Sequence, residues 1–406
     1  MVQEPSERQR VIRVGFSLIG GGHGTGGYNY LLNLVRLLCE YEANRVRPVL
    51  LFGEDIAEAD VAPFRMIGGA ELALAPVMNR AHKSALLARA LLTGRDAAFQ
   101  RLLEEQRIDL VFESAQFFGW RIGRPAIAWI PDFQHRRLRH MFTWRGYWRR
   151  ELGFQALMAS ERTIMLSSED ARRDCEHFYP ASRGRTRAIH FAVPPLEPPT
   201  LAVARAVADS YGLPRDFFFM PNQLSKHKNH LLVLDALSEL SARGRQVVVV
   251  SSGKQEDERH PDYFPSVMSR RQALKQEEHF RLLGMIPYPH VRALMRTATA
   301  LLNPSLFEGW STPVEEARAL GVPLVLSDLD VHREQAADSA HYFDRHSATS
   351  LAQALAAVSP ISDDERERRL AVARVEAQAR VETFARAFAT LVCDQVNAAS
   401  RQTRSA

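Results

Sequence analysis

Cysteine is scarce: Cys39, Cys175 and Cys393 are the only three in the chain, and they lie far apart. None has the short spacing of a metal site, so they read as buried thiols of a cytoplasmic protein. No run of about 18 apolar residues occurs, so no membrane-spanning helix is expected. The opening segment MVQEPSERQR is polar, which gives no expectation of a secretory signal. Acidic side chains are missing from Phe133 to Arg150, where Arg136, Arg137, Arg139, Arg145, Arg149 and Arg150 stand among Phe142, Trp144, Tyr147 and Trp148. A basic and aromatic run of this kind suits an anionic membrane surface or a phosphorylated acceptor. It is also compatible with a plain solvated helix face. No second feature supports nucleic acid, and the net charge is only +5.

What is present is a two-domain composition: 406 residues, 46% of them hydrophobic. Val11 to Ile19 reads as a strand, Gly20 to Gly27 as a glycine loop, and Tyr28 to Glu40 as a helix. Gly22, Gly24 and Gly27 satisfy G-x-G-x-x-G, so a dinucleotide site of a nicotinamide-dependent oxidoreductase is one option, and a tight turn alone is another. Asp109 to Phe112 and Ala126 to Ile130 are further strands. Their carboxyl ends should bring Glu113 and the segment Asp132 to His135 to a cleft beside Gly20–Gly22. The proline-rich VPPLEPPT at Val193–Thr200 is the expected hinge. Beyond it the strand–helix alternation restarts, with Lys226 and Lys228 in the loop NQLSKHKN.

The most informative stretch is Ala300 to Gln335, ALLNPSLFEGWSTPVEEARALGVPLVLSDLDVHREQ. It reads as strand, loop, helix, strand. Thr312 is the expected N-cap, Pro313 the first helical residue, and Glu315 the partner in a capping box worth about 1 kcal/mol. The helix start, with its unpaired N–H groups, suits a diphosphate. Glu316, in the first turn, can accept from the two hydroxyls of a ribose. Glu308, before the helix, can reach the group beyond the phosphates. The plainer alternative is a cap, a dipole partner and a solvated acid.

PSLFEGWSTPVEEARALGVPLVLSD resembles the donor-site signature of retaining GT-B glycosyltransferases of family 4, and Glu308-x7-Glu316 has the spacing of their paired glutamates. The HREQ at His332 to Gln335, like WIPDFQH at Trp129 to His135, is similar to a subset acting in bacterial surface polysaccharide, lipopolysaccharide and O-antigen assembly. The resemblance implies an α/β GT-B fold, two Rossmann-like domains with parallel sheets facing across a cleft. Residues 1–195 would form the acceptor domain and 196–380 the nucleotide-sugar domain. Residues 381–406 would be a helix recrossing to the first domain, followed by a disordered tail. It implies a donor site of Gly21, Gly22, Gln223, Lys228, Met285, Glu308, Gly309, Trp310, Ser311, Thr312 and Glu316, with Glu308, Lys228, Asp132 and His135 near the chemistry. Two departures stand out. Pro131-Asp132 replaces the family's His-Asp, which makes His135 the candidate substitute. Gln223 stands where the family has an arginine, leaving Lys226, Arg292 or another base to compensate.

No metal or other cofactor is implied. Asp328-x-Asp330 imitates a metal-binding pair of a different glycosyltransferase fold, His135 and His140 are poorly spaced for chelation from one helix face, and Ser167-Ser168 lacks a nucleophile elbow's glycines. The expected partners are a nucleotide-sugar donor, a glycan or lipid-linked acceptor, and the inner membrane face, on which the protein would sit peripherally. The oxidoreductase reading leaves Glu308, Glu316 and Lys228 unexplained. The two departures keep a non-catalytic sugar-nucleotide or glycan binder as the second alternative.

Overall fold

The computed structural model describes residues 10–18, 26–114 and 117–405. The first half contains β1 (Ile12–Ser17), α1 (Gly26–Tyr41), β2 (Val46–Phe52), α2 (Glu58–Arg65), β3 (Glu71–Leu74), α3 (Lys83–Thr93), α4 (Ala97–Glu105), β4 (Leu110–Ser114), β5 (Ala126–Trp129), α5 (Gln134–Arg137), α6 (Trp144–Met158), β6 (Thr163–Leu166), α7 (Glu169–Phe178) and β7 (Thr186–Ala188). The second contains α8 (Leu201–Ser210), β8 (Phe218–Met220), α9 (His230–Ala242), β9 (Val249–Ser251), α10 (Tyr263–Ala273), β10 (Phe280–Leu282), α11 (Tyr288–Thr297), β11 (Ala300–Asn303), α12 (Thr312–Ala319), β12 (Leu324–Ser327), α13 (Asp330–Ala336), β13 (Ala340–Phe343), α14 (Ala348–Ala357) and α15 (Asp363–Ser405).

The strands form two sheets, β3-β2-β1-β4-β5-β6-β7 and β10-β9-β8-β11-β12-β13, and their pairings are parallel. Parallel strands need crossovers, and helices supply them on both faces. Alternation along a strand sends successive side chains to opposite layers. Ile127 and Trp129 of β5 join a core completed by α1, whereas Ala128 joins one completed by α6 and α7. The second sheet divides in the same way: Leu302 packs toward α9 and α14, and Leu301 toward α11 and α12.

The final helix is a single rod of 43 residues. Leu370 belongs to the core of the second sheet, while Phe384, Phe388 and Val392 belong to the core of the first. Phe388 stacks on Phe16 at 6.0 Å and meets Phe112 edge-on at 5.5 Å. The chain therefore returns to the first domain at its end. The proline-rich segment lies in an irregular connection between β7 and α8. None of the helices among the described residues is long and apolar enough to cross a membrane.

Candidate active site

The switch point of the second sheet lies between β8 and β11, and the loops after these two strands carry the charged pair. Lys228 Nζ lies 2.5 Å from Glu308 Oε1. Ser305 Oγ is 2.7 Å from the same oxygen and 2.6 Å from Asn303 Oδ1. Asn303, buried at the end of β11, also donates to Ser311 Oγ at 2.8 Å. The loop between β11 and α12 is thus tied at both ends to one buried amide. Burial pushes the Glu308 carboxyl up, but the Lys228 charge and the hydrogen bonds outweigh it and hold it down at about 2.

The start of α12 differs from the sequence expectation. The N-cap is Ser311 and not Thr312, and no side chain caps the helix. Glu315 is buried and looks away from the helix end: its carboxylate accepts from Gln335 Nε2 (3.1 Å) and Arg318 (2.7 Å), with Arg380 of α15 at 3.5 Å. The capping box is therefore absent, because Glu315 finds charged partners that a backbone N–H cannot match. Gln335 fixes the turn instead. Its Oε1 accepts from Ser311 N and its Nε2 donates to Ser311 O, both at 3.1 Å. The N–H groups at the head of α12 are thereby left without a side-chain cap.

Glu316 sits one residue further on and accepts from Tyr288 Oη at 2.8 Å. Burial raises its carboxyl to about 7, against the opposing effects of Tyr288 and Arg292. A carboxyl half-protonated near neutrality is a pre-formed acceptor whose charge is lost or kept with small energies.

The two domains meet at this loop. A Cβ on Gly309 would fall 2.1 Å from Pro131 O and 3.0 Å from the Asp132 Cβ, so the loop backbone lies directly on the end of β5. Ser168 Oγ, which caps α7, donates to Gly309 O at 3.0 Å. Glu334 of α13 accepts from the N–H groups of Glu169 (2.6 Å) and Asp170 (3.1 Å) at the head of α7, and its carboxylate lies 2.6 Å from His190 Nε2. Arg259 donates to Gln134 Oε1 at 2.9 Å and lies 5.1 Å from the Phe142 ring centroid, reaching across from the second domain to the first.

Lys228, Glu308, Gly309 and Asp132 therefore converge. Asp132 accepts from Gln134 N at 2.9 Å, and Arg150 stands 3.4 Å away. Other expected residues go elsewhere. His135 is fully buried in the first domain, 3.2 Å from Glu151 Oε2 and 3.4 Å from Tyr179 Oη, so it does not replace the missing histidine. Its ring satisfies a core carboxylate that lies one helix later. Glu113 is buried against Arg162, with its carboxylate also taking Phe118 N, and is structural. Trp310 turns to the hinge, stacking on His190 at 4.9 Å and donating to Phe191 O at 2.9 Å. Arg292 donates to the hinge carbonyls of Leu196 and Glu197, each at 2.8 Å. Gln223 is exposed and donates to Glu256 O at 3.3 Å, Lys226 is exposed, and Met285 is 75% exposed. Gly21 and Gly22, with Gly20 and Gly24, lie outside the described residues; Gly27 falls in the first turn of α1. Asp328 is occupied by Arg345 (3.2 Å) and Asp330 faces Arg173 (3.4 Å). Among the described residues no cluster of His, Cys, Asp or Glu could hold a metal ion.

Sequence reasoning missed Arg259, Tyr288 and Glu334. Arg259 sits in a polar loop without periodicity, and nothing local marks it. Glu334 was visible only as one letter of HREQ. The structure gives each position of that tetrad a task. His332 is buried with Nδ1 3.0 Å from Ser327 O, Arg333 lies over the Tyr342 ring at 4.5 Å, Glu334 spans the cleft, and Gln335 holds Ser311.

Residues 210–374 match the family described as Glycosyl transferases group 1. No curated protein matches the chain. Among solved structures, a glycosyltransferase from Rickettsia africae superposes with a TM-score of 0.71 at 12% identity, over 95% of this chain and 99% of that one. Sucrose-phosphate synthase from Thermosynechococcus elongatus gives 0.69 at 14% identity, over 95% and 100%. Anabaena HepE, in complex with UDP and glucose, gives 0.66 at 14% identity, over 94% and 100%. At these identities the likeness is one of fold, and the fold is GT-B.

Proposed function

We propose that this chain is a glycosyltransferase that moves a sugar from a nucleotide-sugar to a hydroxyl of a glycan or lipid-linked acceptor, with retention at the anomeric carbon; the match of residues 210–374 to group 1 of the glycosyl transferases and the GT-B fold support the reading. The observation that carries this reading is the Lys228–Glu308 pair at the uncapped head of α12, closed over by Pro131 and Asp132 of the other domain.

The residues divide the work by position. Lys228 and the free N–H groups of α12 supply positive charge where a diphosphate becomes a leaving group. Glu308, ionised throughout the physiological range, orients Lys228 and offers an acceptor to sugar hydroxyls. Glu316 and Tyr288 receive the ribose. Arg259 contributes the cation that Gln223 does not, from a loop that reaches across the cleft. Asp132 is held by the Gln134 amide and Arg150, and His135 is buried against Glu151. Attack on the same face as departure, with the diphosphate oxygen taking the acceptor proton, is the chemistry we favour. No divalent metal is required in this scheme. The protein would work in the cytoplasm, docked peripherally on a membrane where a lipid-linked acceptor in bacterial polysaccharide or glycoconjugate assembly is presented.

The test is a panel of UDP-, GDP-, dTDP- and ADP-sugars, read as released nucleoside diphosphate with and without chelator, and as product anomer by NMR once an acceptor is found. UDP-glucose is the first donor to try, given the HepE complex. Activity in EDTA with a retained anomer is expected. An inverted product, or turnover abolished by EDTA and restored by magnesium, overturns the scheme.

A further inference from the structure

β8 and β9 are neighbouring parallel strands, so the loops that follow them lie side by side at the carboxyl end of the second sheet. The loop after β8 carries Lys228. The loop after β9 runs from Ser252 to Asp262 without helix or strand. Its shape therefore comes from a few contacts. Leu224 N donates to Lys254 O and Gly253 N to Gly284 O, each at 2.9 Å, and exposed Gln223 reaches Glu256 O at 3.3 Å. The buried contact is made by Asp257, whose side chain is 4% exposed.

The Asp257 carboxylate bonds to the backbone of both loops. Oδ2 accepts from Lys226 N at 3.2 Å and Oδ1 from Arg259 N at 3.0 Å. The Arg259 guanidinium stays 3.9 Å from Oδ1, beyond hydrogen-bond range, and is turned to Gln134 instead. A buried carboxylate is costly unless its oxygens are satisfied. Here two amides from different loops satisfy it, and their relative position is fixed by one side chain.

Each amide belongs to a segment with a task. Lys226 opens the short turn Lys226–Lys228. Lys228 N closes that turn on Ser225 O at 2.8 Å, and His227 O accepts from Leu306 N at 2.8 Å. The turn that aims Lys228 at Glu308 is thus joined to the Glu308 loop. On the other side, Arg259 donates to Gln134 Oε1 and His260 Nε2 lies 3.0 Å from Met141 O, so this segment grips the first domain at two points. Gln134 in turn donates its N–H to Asp132. We propose that Asp257 is a positioning residue for sugar transfer, linking the seat of the first domain on Arg259 and His260 to the placement of Lys228. The use made of Lys228 rests on the glycosyltransferase reading. The link itself is mechanical and needs no substrate.

Hydrogen exchange of the substrate-free full chain, read by mass spectrometry, tests the link, and steady-state kinetics tests its use. Arg259→Ala removes an exposed side chain and leaves both Asp257 bonds in place. It should still speed exchange across residues 224–229, because a segment freed from the first domain no longer holds Asp257 against Lys226 N. Asp257→Asn turns an amide NH2 toward one of the two N–H groups and should speed exchange in 224–229 and 256–260 alike. Adding Arg259→Ala to Asp257→Asn should then change 224–229 no further. Kinetics uses whichever UDP-, GDP-, dTDP- or ADP-sugar wild type turns over fastest, read as released nucleoside diphosphate. Asp257→Asn should lower kcat about tenfold with KM little changed, since the Lys228 charge acts chiefly on the departing diphosphate. The double variant should match the worse single variant and not the product of the two losses, as residues acting as one unit do. Circular dichroism checks the fold, and Arg259→Ala alone decides the link where Asp257→Asn does not fold. Exchange across 224–229 unmoved by Arg259→Ala overturns the proposal. So does a wild-type kcat in folded Asp257→Asn, or a double variant whose losses multiply. If wild type turns over no sugar nucleotide, the glycosyltransferase reading falls, while the exchange result still decides the link.

Discussion

Replacing Gly309 by alanine adds one methyl group at the place where the loop between β11 and α12 lies on the other domain. The residue does not occupy the left-handed region, so its backbone accepts a side chain without strain. The obstacle is outside: the new Cβ would sit 2.1 Å from Pro131 O, where ordinary contact begins at 3.4 Å. The shortfall is 3.4 − 2.1 = 1.3 Å. Neither side is a flexible side-chain tip. One is the carbonyl ending β5 and the other a loop tied through Asn303, Ser305 and Gln335, so the domains separate instead. A misplacement of about 1 Å between groups acting together costs on the order of 100-fold in rate. Gly309→Ala should therefore lower kcat for the cognate donor by about 100-fold. Affinity for the nucleoside diphosphate should change little, because Lys228, Glu316 and the head of α12 all move with the second domain. Steady-state kinetics and titration calorimetry separate the two quantities. Gly153→Ala is the control: its Cβ meets nothing within 4 Å, and in a helix it should stabilise by about 0.5–1 kcal/mol. An unchanged kcat in Gly309→Ala, or an equal loss in kcat and nucleotide affinity, would refute the idea that close approach at this glycine assembles the site.

Three further outcomes follow from the same geometry. Glu316 has a carboxyl raised to about 7, so the folded state holds that proton more tightly than the unfolded chain. Its contribution to stability is full at acid pH, below the ordinary carboxyl range, and is lost as pH rises through about 7. Ribose hydroxyls favour the ionised form, so nucleoside diphosphate affinity by calorimetry should rise roughly tenfold from pH 6 to pH 8, and Glu316→Gln should flatten that profile. Glu315→Ala should lower stability by roughly 3 kcal/mol, well beyond the effect of a lost cap, because Gln335, Arg318 and Arg380 all lose a buried carboxylate; chemical denaturation measures it. Arg259→Ala should lower kcat/KM for the donor by about 10–100-fold, the worth of one charge-assisted hydrogen bond, with Arg259→Lys recovering part of it.

The alternation of strands and helices was readable because buried parallel strands are short apolar runs and their crossovers are amphipathic. The structure brings Glu308, Lys228 and Asp132 together, as expected of residues in the loops that follow β11, β8 and β5 at the carboxyl ends of two parallel sheets. Glu315 was read wrongly. Its local pattern is that of a cap, yet Gln335 and Arg380, distant in sequence, outbid a backbone N–H. His135 failed for the same reason, since Glu151 and Tyr179 come to it only through packing. Trp310 and Arg292 are claimed by the hinge, whose path no local pattern specifies. Arg259 was invisible: an arginine in a polar loop has meaning only once Gln134 and Phe142 of the other domain lie opposite.

The rod formed by α15 has a consequence for how the chain comes to be folded. At about 1.5 Å per residue it is roughly 65 Å long, and it contributes to both cores. All seven strands of the first sheet have been synthesised once residue 188 is made. The layer over Phe16, Phe112 and Tyr30 is completed only by Phe384 and Phe388. Those side chains leave the ribosome roughly 200 residues later, about 10–40 s at ordinary rates of translation. During that interval the first domain carries an open apolar face, and truncation before Phe384 would leave it open for good. The first half to be made is thus the last to be finished, and the first domain depends for its integrity on the later turns of α15.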